Sequence, residues 1–351
     1  MRPHRLTFCS LLAALAFIGV IIAPPPAQAA PSVAGCQSFY VPVALAAGLP
    51  LQYTIYSELC NPSGGASHTI QLLIPGGSYG HIYWDFPYEP ETYSYVNAAN
   101  AAGYSTLNID RIGTGLSSHP ASGLLDVTMG TNAYVIHEIV QALLGGQIGN
   151  QAFSRVLLVG HSLGSVAVWI EAGTYHDVAG VIVSGLLHHL NMVSLAHVVA
   201  TLYPADLDPR FANAHLGLSY LTTEPGTRAS DFYYLPGADP NVIALDEATK
   251  ETATTGEAAT FALSLTDGIS AQINVPVLVA VGQEDSLLCG LAATDCSSAA
   301  SVLQAEAPYY SAQAQLQAVV IPGSGHDLNL HESAPLWFAS AMSWAYQYVA
   351  P

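Results

Sequence analysis

Short apolar runs without polar alternation recur along this chain, and most are followed by a stretch with helical spacing. His68–Ile74, Tyr104–Ile109, Arg155–Val159, Val178–Val183, Val275–Val281 and Gln317–Ile321 are such runs, and Tyr40–Leu45 and Leu51–Leu59 precede them. A strand with one wet face alternates polar and apolar residues; continuous β-branched character marks strands covered on both faces. The intervening stretches Glu91–Ala102, Thr131–Leu144, Leu163–Tyr175 and Pro335–Tyr348 read as the covering helices. Strand–helix alternation of this kind predicts a doubly wound α/β fold with a mostly parallel sheet. No internal repeat or low-complexity block interrupts it.

One segment breaks the rhythm. From Leu186 to Gln272 there is no strong strand run, only turn signals such as Asp208-Pro209 and Pro225-Gly226 and helical patches at Leu190–Tyr203 and Val242–Thr254. That is far longer than a connection within a compact domain. It predicts an inserted helical cap at 186–272, dividing a core of 30–185 and 273–351.

The first 29 residues read as a secretory signal peptide. Arg2 and Arg5 supply the positive end, Leu11–Ile22 the apolar centre, and Ala27-Gln28-Ala29 the small-residue cleavage site. The apolar run is shorter than the roughly 20 residues of a spanning helix, so no stable membrane anchor is expected. The chain carries 7 Lys+Arg against 25 Asp+Glu, a formal net charge of −18. Cleavage would leave Arg111, Arg155, Arg210, Arg228 and Lys250 as its basic residues. Such a field repels phosphate backbones and anionic bilayers, which argues against a nucleic-acid partner. Beyond the signal segment the cysteines are Cys36, Cys60, Cys289 and Cys296. In an exported chain an even set predicts two disulfides, with the local pairings Cys36–Cys60 and Cys289–Cys296 preferred among three. There is no C-x-x-C pair or H-E-x-x-H helix to suggest zinc.

Chemistry concentrates at Gly160-His161-Ser162-Leu163-Gly164. G-x-S-x-G is a weak pattern alone, but here it joins an apolar strand directly to a helix, the setting of a nucleophile elbow. The serine would then sit at a helix N-terminus, where free N–H groups favour developing negative charge. His161 is expected to pack with its ring away from the reaction. A serine hydroxyl needs an oriented base. His326, in Gly323-Ser324-Gly325-His326-Asp327 after the last strand, is the best placed; His137, within a helix, and His188-His189, at the start of the insert, read as surface or packing residues, with His188 or His189 also open to a place in the pocket. The acid should end another strand, and Val275–Val281 runs into Gly282-Gln283-Glu284-Asp285, giving Asp285 with Glu284 as competitor. The oxyanion donors would be the amides of Leu163 and Gly77, the latter in Pro75-Gly76-Gly77-Ser78. Ser78, Tyr79, Trp84 and His188 are candidate pocket residues, with Tyr83 and Phe86 extending an aromatic wall.

These features, in this order, resemble the α/β-hydrolase superfamily, in particular its cap-bearing serine esterase-like members. Pro75-Gly76-Gly77, Asp110-Arg111-Ile112-Gly113-Thr114-Gly115-Leu116-Ser117, the elbow and Gly325-His326-Asp327 carry the likeness over nearly the whole chain after residue 29. Pro75 stands where relatives often have histidine. The resemblance implies an enzyme without metal or cofactor, and a loop organised by Asp110 and Arg111. The expected reaction is acyl transfer on a small-molecule ester or lactone, apolar or aromatic, with the protein secreted. An amidase or peptidase on the same triad is the nearest rival. An exported binding protein on an inactive scaffold is the alternative of another class; its fold would be the same and its serine inert.

Overall fold

A computed structural model describes residues 35–291 and 293–351. The signal-peptide reading of residues 1–29 lies outside them. Among the described residues eleven strands occur: β1 (Cys36–Val43), β2 (Tyr53–Cys60), β3 (Thr69–Ile74), β4 (Ser105–Ile109), β5 (Arg155–His161), β6 (Gly180–Ser184), β7 (Leu202–Pro204), β8 (Tyr220–Thr223), β9 (Ala253–Thr254), β10 (Val277–Gly282) and β11 (Gln317–Ile321). Eight of them form one sheet in the order β1-β2-β4-β3-β5-β6-β10-β11. β2 pairs antiparallel with both β1 and β4, and the remaining pairings are parallel. This is the α/β-hydrolase fold, and all eight apolar runs belong to its sheet.

The central strands show why their sequences are uninterrupted. Every residue of β3, β4, β6 and β10 is buried. Helices Met129–Leu144 and Leu163–Tyr175 and the pair Tyr95–Ala101 and Ala334–Tyr348 bury their apolar sides in the same continuous core. After β3 the chain steps outward to β4, then returns across β3 to β5. Adjacent connections therefore leave β3 and β5 in opposite directions. Their carboxyl ends open a crevice at this switch point, where open α/β sheets bind ligands. Among the described residues, no helix is long and apolar enough to cross a membrane.

Cys36 lies opposite Cys60 in the β1–β2 register, and the two form a disulfide. Cys289 and Cys296 form the second. The segment between β6 and β10 differs from an all-helical cap. It holds helices Met192–Thr201, Arg228–Phe232, Pro240–Thr249 and Thr255–Ser264, but also the antiparallel sheet β7-β8-β9. Strands of two to four residues are too short to print a period on the sequence, so they escape pattern reading.

Candidate active site

β5 ends in a turn that only small neighbours permit. A Cβ on Gly160 would lie 2.7 Å from the Ser165 Cα, and one on Gly164 would lie 2.5 Å from the Ile74 and Pro75 carbonyl oxygens. These glycines let β5 reverse into helix Leu163–Tyr175 while pressed against the end of β3. Ser162, at the apex, has φ 51° and ψ −120°. A non-glycine residue there carries strain on the order of 1–3 kcal/mol, held by the packing around it.

The turn aims the Ser162 Oγ at His326, whose Nε2 is 2.9 Å away. The other ring nitrogen, Nδ1, is 2.9 Å from Asp285 Oδ2. Asp285 is fully buried after β10, and its second oxygen accepts the Leu287 amide at 2.9 Å. Glu284 is exposed, and only its backbone joins the loop, by donating to the Ser324 carbonyl. The His326 backbone amide donates to the Phe232 carbonyl at 2.9 Å, which ties the imidazole loop to the inserted segment. Burial opposes protonation of His326, but the Asp285 carboxylate outweighs it and the pKa stands above the ordinary histidine value. An imidazole so held accepts a proton readily and is oriented to receive it from Ser162.

Ser162, Leu163, Gly77, Ser78 and His326 share the wall of one cavity of about 230 Å³. Leu163 opens the helix, so its amide has no acceptor within it. The turn bearing Gly77 is braced from two sides. Arg111, buried, donates from Nε to the Pro75 carbonyl at 2.9 Å and from Nη2 to the Gly76 carbonyl at 3.0 Å, and pairs with buried Glu257. Asp110, beside it, accepts the Leu116 and His81 amides and closes the following loop. From the inserted segment, Arg228 donates to the Ser78 Oγ at 3.0 Å, and Ser78 itself has φ 60°.

Arg228 was not visible in the sequence as a site residue. It is fully buried, makes a two-pronged pair with Asp246 at 2.8 and 2.9 Å, and lies 4.1 Å from the Tyr79 ring centroid. The Tyr79 hydroxyl donates to Asp327 Oδ2 at 2.5 Å. The other Asp327 oxygen is 3.3 Å from His161 Nε2. His161 is buried, stacked on Tyr83 at 4.3 Å between centroids, and burial holds its pKa well below the ordinary value. It packs beside His326, with ring centroids 5.1 Å apart, rather than facing the cavity.

The cavity differs from the aromatic wall expected after the Gly77 turn. Tyr83, Trp84 and Phe86 are buried in the main core, and Tyr79 lies in the polar layer. None of these four lines the cavity, nor does His188. His188 is sandwiched between Trp169 and Tyr309 and bonds Glu306 at 2.6 Å and Ser270 at 2.9 Å. Instead the lining is aliphatic: Leu186 after β6, Leu190, Leu195, Val198 and Leu202 from the inserted segment, and Leu287 beyond Asp285, with Phe232 and Phe261 as its aromatic members.

The sequence profile of the Alpha/beta hydrolase family matches residues 71–341, which span the turn, the elbow and the histidine loop. The chain belongs to that family. A search of curated proteins found no matching sequence. Among solved structures, this α/β hydrolase is similar to a thermophilic esterase from Thermogutta terrifontis, with 18% identity over 89% of this chain and 99% of that one, and a TM-score of 0.58. It is similar also to a soluble variant of monoglyceride lipase from Saccharomyces cerevisiae, with 15% identity over 93% and 99% and a TM-score of 0.59. A thermostable carboxyl esterase from Bacillus coagulans shares 12% identity over 90% and 99%, with a TM-score of 0.59. At these identities the likeness is one of fold.

Proposed function

We propose that this α/β hydrolase is an exported carboxylic-ester hydrolase working through an acyl-enzyme on Ser162. One observation carries the reading: an unbroken Ser162–His326–Asp285 relay, with both contacts at 2.9 Å, opens into an aliphatic cavity. In the first step His326 Nε2 takes the Ser162 proton as Oγ attacks the ester carbonyl, and Asp285 stabilises the imidazolium that forms. The amides of Leu163 and Gly77 receive the oxyanion. His326 then protonates the departing alcohol, and in the second step it activates water against the acyl-serine.

Leu190, Leu195, Val198 and Phe261 give an acyl chain apolar surface and no buried charge to answer. This favours an aliphatic acyl group over a charged or strongly polar one, and the segment 186–272 then acts as a cap that completes the acyl site. The presence of esterases and a monoglyceride lipase among its structural neighbours agrees with an ester substrate. Export is supported by the charge and apolar pattern of residues 1–29 and by two disulfides. N-terminal sequencing of protein recovered outside the cytoplasm should begin close to residue 30, and an intact Met1 on that protein would overturn export.

p-Nitrophenyl esters of graded acyl length, run beside the matching p-nitroanilides, test the chemistry. Ester turnover with an optimum at intermediate aliphatic chains is expected, with anilides at least 100-fold slower. Anilides cleaved as fast as esters would replace the reading by an amidase. No turnover of any ester would leave the binding-protein alternative.

A further inference from the structure

Outside the crevice, three potential ligands converge where helix Met129–Leu144 packs on helix Leu163–Tyr175. His137 comes from the first helix, Glu171 from the last turns of the second, and Asp177 from just beyond its end. One donor atom from each lies within 4.8 Å of the other two. His137 Nδ1 is 2.8 Å from Asp177 Oδ2 and 3.8 Å from Glu171 Oε1. Both carboxylate oxygens of Glu171 and the His137 Nδ1 lack a hydrogen-bond partner despite this closeness.

Glu171 is the second, decisive observation. It is fully buried, yet among the described residues no lysine or arginine pairs with it or with Asp177. A buried carboxyl group with no hydrogen-bond partner on either oxygen is costly, and a cation held among these three groups would answer it. The helix end adds negative potential at the same point, because the macrodipole terminates there. The imidazole is already fixed in orientation, stacked on Tyr175 at 3.8 Å between centroids, and Gln141 donates to Asp177 Oδ2 at 2.6 Å. Side-chain exposures of 23% for His137 and 16% for Asp177 leave an ion a path from solvent.

We propose that His137, Glu171 and Asp177 form a structural site for one divalent transition-metal ion, with zinc as the fitting probe. An imidazole nitrogen with two carboxylate oxygens suits zinc better than calcium or magnesium, which prefer oxygen-only shells. Ligands of tetrahedral zinc stand about 3.4 Å apart, so small side-chain rotations close the present spacing and leave a fourth position for water. Bound there, the ion neutralises Glu171 and clamps the far end of the helix that carries Ser162 at its start. The site is independent of the ester chemistry.

Chelator-stripped full-length protein, titrated with zinc chloride in competition with a chromophoric chelator, tests it. One equivalent of zinc should bind and raise the thermal midpoint, and excess calcium should not displace it. H137Q and E171Q should each weaken binding at least tenfold. E171Q nearly preserves the shape of the glutamate side chain, so it should fold like the parent without zinc and lose the zinc-dependent rise. D177N serves as a third, partly exposed variant should H137Q fail to fold. Absence of an equimolar zinc, or a zinc whose affinity E171Q leaves unchanged, would overturn the site.

Discussion

Arg228 provides the sharpest test of how the inserted segment supports the crevice. In Arg228→Met the flexible thioether fills part of the guanidinium's volume but abandons Asp246, which is buried and accepts from it through both oxygens. Removing one partner of a buried ion pair costs about 3–5 kcal/mol, because the other charge stays uncompensated. Loss of the cation over the Tyr79 ring adds about 1 kcal/mol. The Tyr233 hydroxyl still reaches Asp246 at 2.9 Å and softens the loss, so about 4 kcal/mol in all is the expected destabilisation. Asp246→Leu should cost a similar amount, since it strands the guanidinium. The double variant Arg228→Met/Asp246→Leu buries no orphan charge and should be more stable than the sum of the singles predicts by at least about 2 kcal/mol. Urea unfolding followed by tryptophan fluorescence measures all four corners of the cycle. Activity adds a second readout: the double variant lacks the bond to Ser78 Oγ that braces the Gly77 turn. Its kcat should fall by about ten- to a hundredfold, because a misplacement near 1 Å at a reacting centre has that effect. Strictly additive losses, or a double variant with full kcat, would refute the reasoning.

Other outcomes follow from the same geometry. Asp285→Asn should lower kcat by about 10⁴-fold. Because Asp285 holds the His326 pKa up, the residual activity's acid limb should move to lower pH, as the neutral base then survives further into acid; a pH–rate profile of kcat/KM reads the shift, and an unmoved limb would show that Asp285 does not tune the base. Gly164→Ala places a methyl 2.5 Å from two carbonyl oxygens, so it should cost at least about 1–3 kcal/mol in urea unfolding and displace the Leu163 amide. Val198→Phe should shorten the preferred acyl chain in the p-nitrophenyl series while sparing acetate, and an unchanged length profile would remove Val198 from the acyl wall.

The sheet was legible because strands covered on both sides cannot hide their character: β3, β5, β6 and β10 read as apolar words. The elbow was legible for a related reason, since Gly160 answers a steric demand from Ser165, five residues on, within the motif itself. Local demands leave local traces. The bond between Arg228 and Ser78 spans 150 positions, and neither residue has a neighbour that announces it. The aromatic run from Tyr79 to Phe86 failed as a pocket for another reason. Large rings following a glycine turn fit the covered side of a sheet as readily as its mouth, and composition does not say which. The acyl-site leucines and valines from 186–202 sit on a segment whose helical pattern was seen, but not the side it presents. His137, Glu171 and Asp177 follow no ligand spacing because two helices must pack before they meet.

The central claim is that Ser162 is made nucleophilic by His326 and Asp285. Intact-mass and peptide mapping after treatment with an alkyl fluorophosphonate test it most directly. The native protein should gain one phosphonyl adduct, located on Ser162, with loss of ester turnover in proportion, while Ser162→Ala stays unlabelled and His326→Ala labels at least 100-fold more slowly. A native protein that turns over esters without labelling, or carries its adduct on another residue, would contradict the account.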